Sequence, residues 1–280
     1  MTAADIKRDE IRARGRFVRE KESESTPRPP LEWIDEGPVD DRTEVRREAI
    51  RAVDRARGGS EPAVSRRSDP PAEVDPDTRA EVEQSLEPRR AARLTERLAQ
   101  AQAALERERF SEARRMANAL VKELGHVSAV HEVIGLADYR LGRWRQAAAA
   151  LEIARRLKGR VEDLPVLADC YRALRRWTEV DEIWLEIREA SPAPEVMAEG
   201  RMVHAGSLAE RGDLRGAIES MEKAVSSTPK KLRPHHLRQW YVLADLYDRA
   251  GSVQRARDVF KRIAAVDADF ADVRDRLRAL

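Results

Sequence analysis

From about residue 79 to the C-terminus, apolar positions recur every three to four residues, and no stretch alternates at a period of two. That spacing places apolar side chains on one face of a helix and predicts an almost unbroken succession of helices. The pattern itself repeats. An aromatic or aliphatic residue followed three positions later by Ala or Val occurs in "FSEA" at 110–113, "WRQA" at 144–147, "WTEV" at 177–180, "LRGA" at 214–217 and "VQRA" at 253–256. Successive hits lie 34, 33, 37 and 39 residues apart. Ten residues before each of the last four sits a pair ending in a small residue: "IG" 134–135, "LA" 167–168, "HA" 204–205 and "LA" 243–244. Seven residues after each Ala or Val stands Leu120, Ala154, Ile187, Ala224 or Ile263. The runs "LGRW", "RGDL" and "AGSV" predict turns in which Gly takes a positive φ.

These columns read as a helical hairpin used several times. Gly135, Ala168, Ala205 and Ala244 on a first helix, and Ala147, Ala217 and Ala256 on a second, let the two approach closely. Trp144, Trp177, Leu214 and Val253 are expected to wedge against the neighbouring hairpin. No single hairpin of this size buries its own apolar faces, so stacking has to supply the core. The segment "DADFADVRDRLRAL" aligns Phe270, Val273, Leu277 and Leu280 on one face and predicts a C-terminal cap. The first unit has Ala101 and Ala104 in its first helix but no aromatic there. A further helix beginning near Thr78 and interrupted at Pro88 is expected ahead of it. "SPAPEVMAEG" and "PKKLRPHHLR" lengthen the last two spacings and predict larger inter-repeat loops.

The unit resembles the tetratricopeptide repeat, of the bacterial type, over roughly residues 94–268. "HEVIGLADYRLGRWRQAAAALEIARRL" and "WYVLADLYDRAGSVQRARDVFKRIAAVD" carry the resemblance best. It implies an all-α fold: a right-handed α-solenoid of about five helix-turn-helix repeats with a C-terminal capping helix, behind a largely disordered N-terminal tail. The expected division is a tail at 1–78 and a solenoid at 79–280, with repeats near 94–127, 128–160, 161–194, 198–232 and 237–268 and a cap at 269–280. The family implies peptide or protein binding in the groove lined by the first helices. By phase, that groove takes Glu132, Leu136, Tyr139 and Arg140, then Asp169, Arg172 and Ala173, then Met202, Gly206 and Glu210, then Tyr241, Asp245, Asp248 and Arg249. The groove is of mixed charge, with Arg140 and Arg172 able to pair with acids. The Lys/Asn clamp with which some relatives grip a C-terminal carboxylate is missing, because its positions hold Glu132, Leu136, Pro165 and Asp169.

Residues 1–78 differ. They hold 8 of the 14 prolines and dense charge, and cannot bury enough apolar surface to offset an ordering cost of roughly 1–2 kcal/mol per residue. Two features stand out within this tail. Leu31, Trp33 and Ile34 form a short apolar motif (31–39) set in acids, and residues 41–57 read as an amphipathic helix through Val45, Ala49, Ile50 and Val53, ending at Gly58. The tail is basic at 6–19 and acidic at 32–44, so the Trp33 motif is expected to dock either on the solenoid or on another protein.

Composition narrows the function. Five His are scattered, with His235 and His236 expected in a loop, and Cys170 falls among small packing residues. No glycine-rich phosphate loop, GxSxG elbow or metal-ligand spacing occurs, so neither an enzyme nor a cofactor is expected. No apolar run approaches a membrane-spanning length and the first residues lack a signal-like apolar core, which predicts a cytoplasmic protein without a membrane partner. The expected function is a non-enzymatic scaffold or adaptor for a peptide or protein, its own tail included. The alternative is an RNA- or ribosome-associated protein. Residues 91–280 carry 34 Lys and Arg against 29 Asp and Glu, a net of +5, and the basic segment 6–19 adds to it.

Overall fold

The structure, a computed structural model, describes residues 74–158, 160–226 and 231–280. The Trp33 motif, the 41–57 helix and the basic segment lie outside the described residues. Among those described, every regular element is helical.

The chain opens with α1 (Pro76–Ser85) and α2 (Pro88–Glu106). Asp75 caps α1 by accepting a hydrogen bond from the Thr78 amide, and prolines start both helices at the position where a missing N–H costs nothing. There follow α3 (Phe110–Asn118), the short α4 (Val121–Leu124), α5 (Ser128–Arg140) and α6 (Trp144–Lys158). Beyond a 3₁₀ turn at Val161–Asp163 come α7 (Leu164–Ala173), α8 (Trp177–Ala190), α9 (Pro194–Glu210), α10 (Leu214–Val225), α11 (Pro234–Arg249), α12 (Val253–Ala264) and α13 (Val273–Ala279). These form five hairpins whose first helices are α2, α5, α7, α9 and α11. Each first helix packs on its own second helix, on the second helix of the preceding hairpin and on the first helices beside it, which is the contact pattern of a solenoid. The helix α13 closes the last hairpin, with Phe270 and Val273 buried and Leu277 and Leu280 half-covered.

The small-residue columns sit where the helices cross. Ala147, Ala168, Ala205, Ala217, Ala244 and Ala256 are all buried. At Gly135 a Cβ would stand 2.6 Å from Leu151 Cγ, so the α5–α6 crossing has no room for even a methyl group. Of the large residues beside them, Trp144, Trp177 and Leu214 are half-buried as wedges, but Val253 is 42% exposed. Among the described residues, the short helix α13 rather than another hairpin follows the last one.

The first long spacing has a different outcome from a larger loop, and the second divides between a longer first helix and the long connection from Val225, the end of α10, to Pro234, the start of α11. The extra residues extend the first helices at their N-termini: α9 has 17 residues and α11 has 16, against 13 in α5 and 10 in α7. Pro194 and Pro234, each at the first helical position, restart the helix early. Only Ser191–Ala193 separates α8 from α9. His235 and His236 therefore lie in the first turn of α11 rather than in a loop, where His236 Nδ1 accepts from the Arg233 amide at 2.9 Å.

All five hairpin turns share one geometry. A residue with positive φ ends the first helix: Glu108, Gly142, Arg175, Gly212 and Gly251. The amide after it reaches back five residues, as from Arg143 to the Asp138 carbonyl at 2.9 Å and from Arg176 to the Tyr171 carbonyl at 2.9 Å. That is the Schellman closure. Glycine takes this conformation without strain, whereas another L-residue pays roughly 1–2 kcal/mol for it. Gly142 has open space around its Cα, so only φ opposes a side chain there.

The turns and one half-buried carboxyl each make a prediction. Arg175 is exposed, so Arg175→Gly should stabilise the chain by about 0.5–1 kcal/mol after the entropy of the freer unfolded state is subtracted, and Gly142→Ala should destabilise it by about 1 kcal/mol. Urea unfolding of both variants against the parent measures these differences. The carboxyl is Asp163, beside Leu164, Leu167 and Arg160 at the α6–α7 junction. Burial, and then the Glu132 carboxylate, push its pKa from 3.8 up to about 6. The folded chain thus holds this proton more tightly than the unfolded chain. The associated stability is full below about pH 4 and is lost as pH rises to about 6. Asp163→Asn should match the parent in unfolding midpoint at pH 4 and exceed it at pH 7; an equal difference at both values would refute this assignment.

Candidate functional site

The first helices present a continuous set of side chains, and the charged groups among them are tied across the hairpin junctions. At the first junction Arg140 donates to Glu108 at 3.1 Å while its guanidinium lies over the Phe110 ring. At the next, the Tyr139 hydroxyl donates to Asp169 Oδ2 at 2.7 Å, and Arg172 Nε donates to Asp169 Oδ1 at 2.8 Å. Arg172 also reaches forward to Glu210. Burial works against the Arg172 charge, and the Asp169 and Glu210 carboxylates more than offset it, so its pKa is raised. Farther along, Arg249 approaches the Ala209 carbonyl at 3.5 Å. Last, Arg276 donates to Asp245 at 2.8 Å and to Asp248 at 3.0 Å, and the Tyr241 hydroxyl donates to Asp272. Burial and then the Asp272 bond push the Tyr241 hydroxyl well above its ordinary pKa.

Every groove residue expected from phase thus falls on a first helix, but the arginines already have acids. Arg140 and Arg172, expected to be able to pair with acids, pair in the structure with Glu108, Asp169 and Glu210 of the chain. Glu132 accepts from Ser128 Oγ at 2.7 Å. Leu136, Met202 and Tyr241 are half-buried against the core, and Gly206 leaves an open notch beside Arg172. Ala173 is exposed. The partners missed from sequence were Glu108, Asp272 and Arg276. The available signal was the separation: these cross-junction bonds join residues 30 to 32 positions apart, close to one repeat.

The remaining titratable groups are built into the packing. Cys170 is fully buried, and burial, with Asp169 adding to it, pushes its thiol up to about 12. His131 is buried and its Nε2 donates to the Gly125 carbonyl at 3.0 Å. His204 stacks on Trp184 with ring centroids 5.5 Å apart, and burial lowers its pKa although Asp181 lies 3.2 Å away. Burial and the adjacent His236 likewise lower His235. No grouping of three or more His, Cys, Asp or Glu able to hold a metal ion occurs among the described residues. None of the described helices is long and apolar enough to cross a membrane.

Comparison with known proteins agrees with this architecture. Residues 208–280 match the family model described as "Tetratricopeptide repeat". No curated protein matches the sequence. Among solved structures, the chain is similar to a Podosopora anserina putative kinesin light chain with nearly identical TPR-like repeats. The identity is 21%, covering 63% of this chain and 96% of that one, with a TM-score of 0.51. It is also similar to the APC/C hetero-tetramer Cut9–Hcn1, at 17% identity over 66% of this chain and 35% of that one, with a TM-score of 0.52. At these identities the likeness is one of fold. Residues 208–280 thus carry the tetratricopeptide-repeat signature, and the stacked-hairpin fold of that family extends through the described residues.

Proposed function

We propose that this protein is a non-enzymatic interaction scaffold that holds a peptide or protein segment against the face formed by its first helices. The observation that carries this reading is the chain of pairings from Glu108 to Arg276 along that face. Side chains already held by neighbours lose little rotamer freedom when a ligand settles on them, so the face is pre-organised. The unused hydrogen-bonding capacity of Glu132, Asp245 and Asp248 supplies polar contacts, and half-buried Leu136 and Met202 supply apolar ones. Because Arg140, Arg172 and Arg276 are matched by carboxylates, the face alternates in sign. That alternation suits a polypeptide better than a uniformly charged phosphate backbone.

A test has to block the face without breaking its pairings. Ala173 is exposed, and a Cβ at Gly206 would lie no closer than 3.7 Å to Arg172. Ala173→Trp combined with Gly206→Arg fills the groove with side chains that a helix accepts. Photo-crosslinking of the full chain in cell extract should lose its crosslinked polypeptides several-fold in this double variant, with an unchanged unfolding midpoint. Ile153→Arg, at an exposed position on the second helix α6, should leave them in place. Equal crosslinking by the double variant and the parent would move the binding surface elsewhere.

A further inference from the structure

At two of the junctions a second helix meets its neighbours through an acidic–aromatic–basic cluster. At the junction of α6 with α7 and α8, Arg155 donates to Glu152 at 3.1 Å and to Glu186 at 2.5 Å, while the Tyr171 hydroxyl donates to Glu152 at 2.6 Å. At the junction of α10 with α11 and α12, the Tyr247 hydroxyl donates to Glu222 at 2.6 Å, and Arg255 pairs with the same carboxylate at 3.1 Å. Both arginines beside these tyrosines, Arg176 and Arg255, lie 4.5 Å over the rings.

The junction between them, of α8 with α9 and α10, lacks this cluster. Counted from Ala147, Val180 and Ala217, the column of Glu152 and Glu222 holds Leu185, the column of Arg155 holds Arg188, and the column of Glu186 holds Lys223. Counted from Ala168, Ala205 and Ala244, the column of Tyr171 and Tyr247 holds Leu208. The column of Leu164 and Trp240, both buried, holds Arg201. Arg201 is half-buried above the Trp184 ring at 5.7 Å. Its pKa is pressed down by burial and by the neighbouring Arg188 charge. Neither arginine has an acidic partner among the described residues. The acid of this region, Asp181, is engaged by Arg211 at 2.8 and 2.9 Å and by His204 at 3.2 Å. Leu185 stands 51% exposed beside the arginines.

We propose that this notch on the second-helix face is a binding site for an acidic peptide segment, distinct from the first-helix face. The neighbouring junction shows what satisfies an arginine in the Arg155 column: two carboxylates, Glu152 and Glu186. At Arg188 both are absent, and a partner's Asp or Glu side chains supply them in charge-assisted bonds to Arg188 and Arg201. An apolar side chain of the same segment covers Leu185. Arg188 is exposed, but Arg201 is half-buried without a carboxylate, which is unfavourable in the free protein, so an incoming carboxylate relieves that penalty as it binds.

The probe is a fluorescein-labelled peptide of glutamates interspersed with leucines, titrated into the full chain and read by anisotropy. The same peptide with glutamine for glutamate serves as the comparison. The glutamate peptide should bind the parent, and the glutamine peptide should bind at least roughly tenfold more weakly. Arg201→Leu with Arg188→Gln should weaken the glutamate peptide to the same degree. Leu185→Glu with Lys223→Glu, which returns the chain's own carboxylates to the notch, should do likewise while raising the unfolding midpoint. Arg145→Gln, at an exposed arginine elsewhere on α6, should leave affinity within about twofold. The proposal is overturned if Arg145→Gln weakens binding as much as the notch variants, if the carboxylate-restored variant still binds, or if an RNA oligomer displaces the peptide from the notch. Loss of the first-helix site would leave these titrations unchanged, so the two sites fail separately.

Discussion

A two-helix hairpin exposes more apolar surface than it can hide, and everything else in this solenoid follows from how that surface is covered. The first helix has to touch its own partner and both neighbours at once, and it can do so only where its backbone comes close. Gly135 against Leu151 shows the limit, since no Cβ fits between them. The alanines at 147, 168, 205, 217, 244 and 256 relax that limit by one methyl group and keep the same crossing. Close crossing also dictates the turn. The second helix has to reverse within two or three residues, and the Schellman closure does this with a left-handed residue. The chain holds that geometry even at Glu108 and Arg175, where the side chain resists it.

The same stacking decides where charges go. A polar residue flanking a small-residue column lies half-buried at the junction between hairpins, where an unpaired charge is costly and a paired one is not. Asp169 is almost wholly covered, and it is satisfied from two hairpins, by Tyr139 behind it and Arg172 on its own helix. Arg276 closes the ladder by reaching back from α13 to two aspartates of α11. Cross-junction pairs of this kind resist separation of neighbouring repeats, so the first-helix face is stiffened by the residues that give it its charge pattern.

Periodicity made the fold legible. Repeating columns 33 to 39 residues apart locate the hairpins, the turns and the small residues, because each is a local requirement that recurs. The long spacings were harder to read. An insertion of polar residues with proline looks like a loop, yet proline is also the preferred first residue of a helix, and Pro194 and Pro234 act that way. Groove membership was legible from phase, but pairing was not. Whether Arg172 faces a ligand or Glu210 depends on the offset between adjacent hairpins, a three-dimensional quantity that a one-dimensional phase leaves open.

That offset is also what gives meaning to departures from the pattern. At the α8–α10 junction four columns change together: a glutamate becomes Leu185, another becomes Lys223, a tyrosine becomes Leu208, and a buried apolar residue becomes Arg201. Each change alone would be tolerable. Together they remove the acids around Arg188 and place a second arginine beside it, so each makes the others more costly. Leucine at the Arg201 position would pack on Trp184 as Leu164 packs in α7, and would stabilise the junction. Folding alone therefore does not account for the arginine. A site whose charge is completed from outside does, because the penalty present in the free protein is removed when a carboxylate arrives.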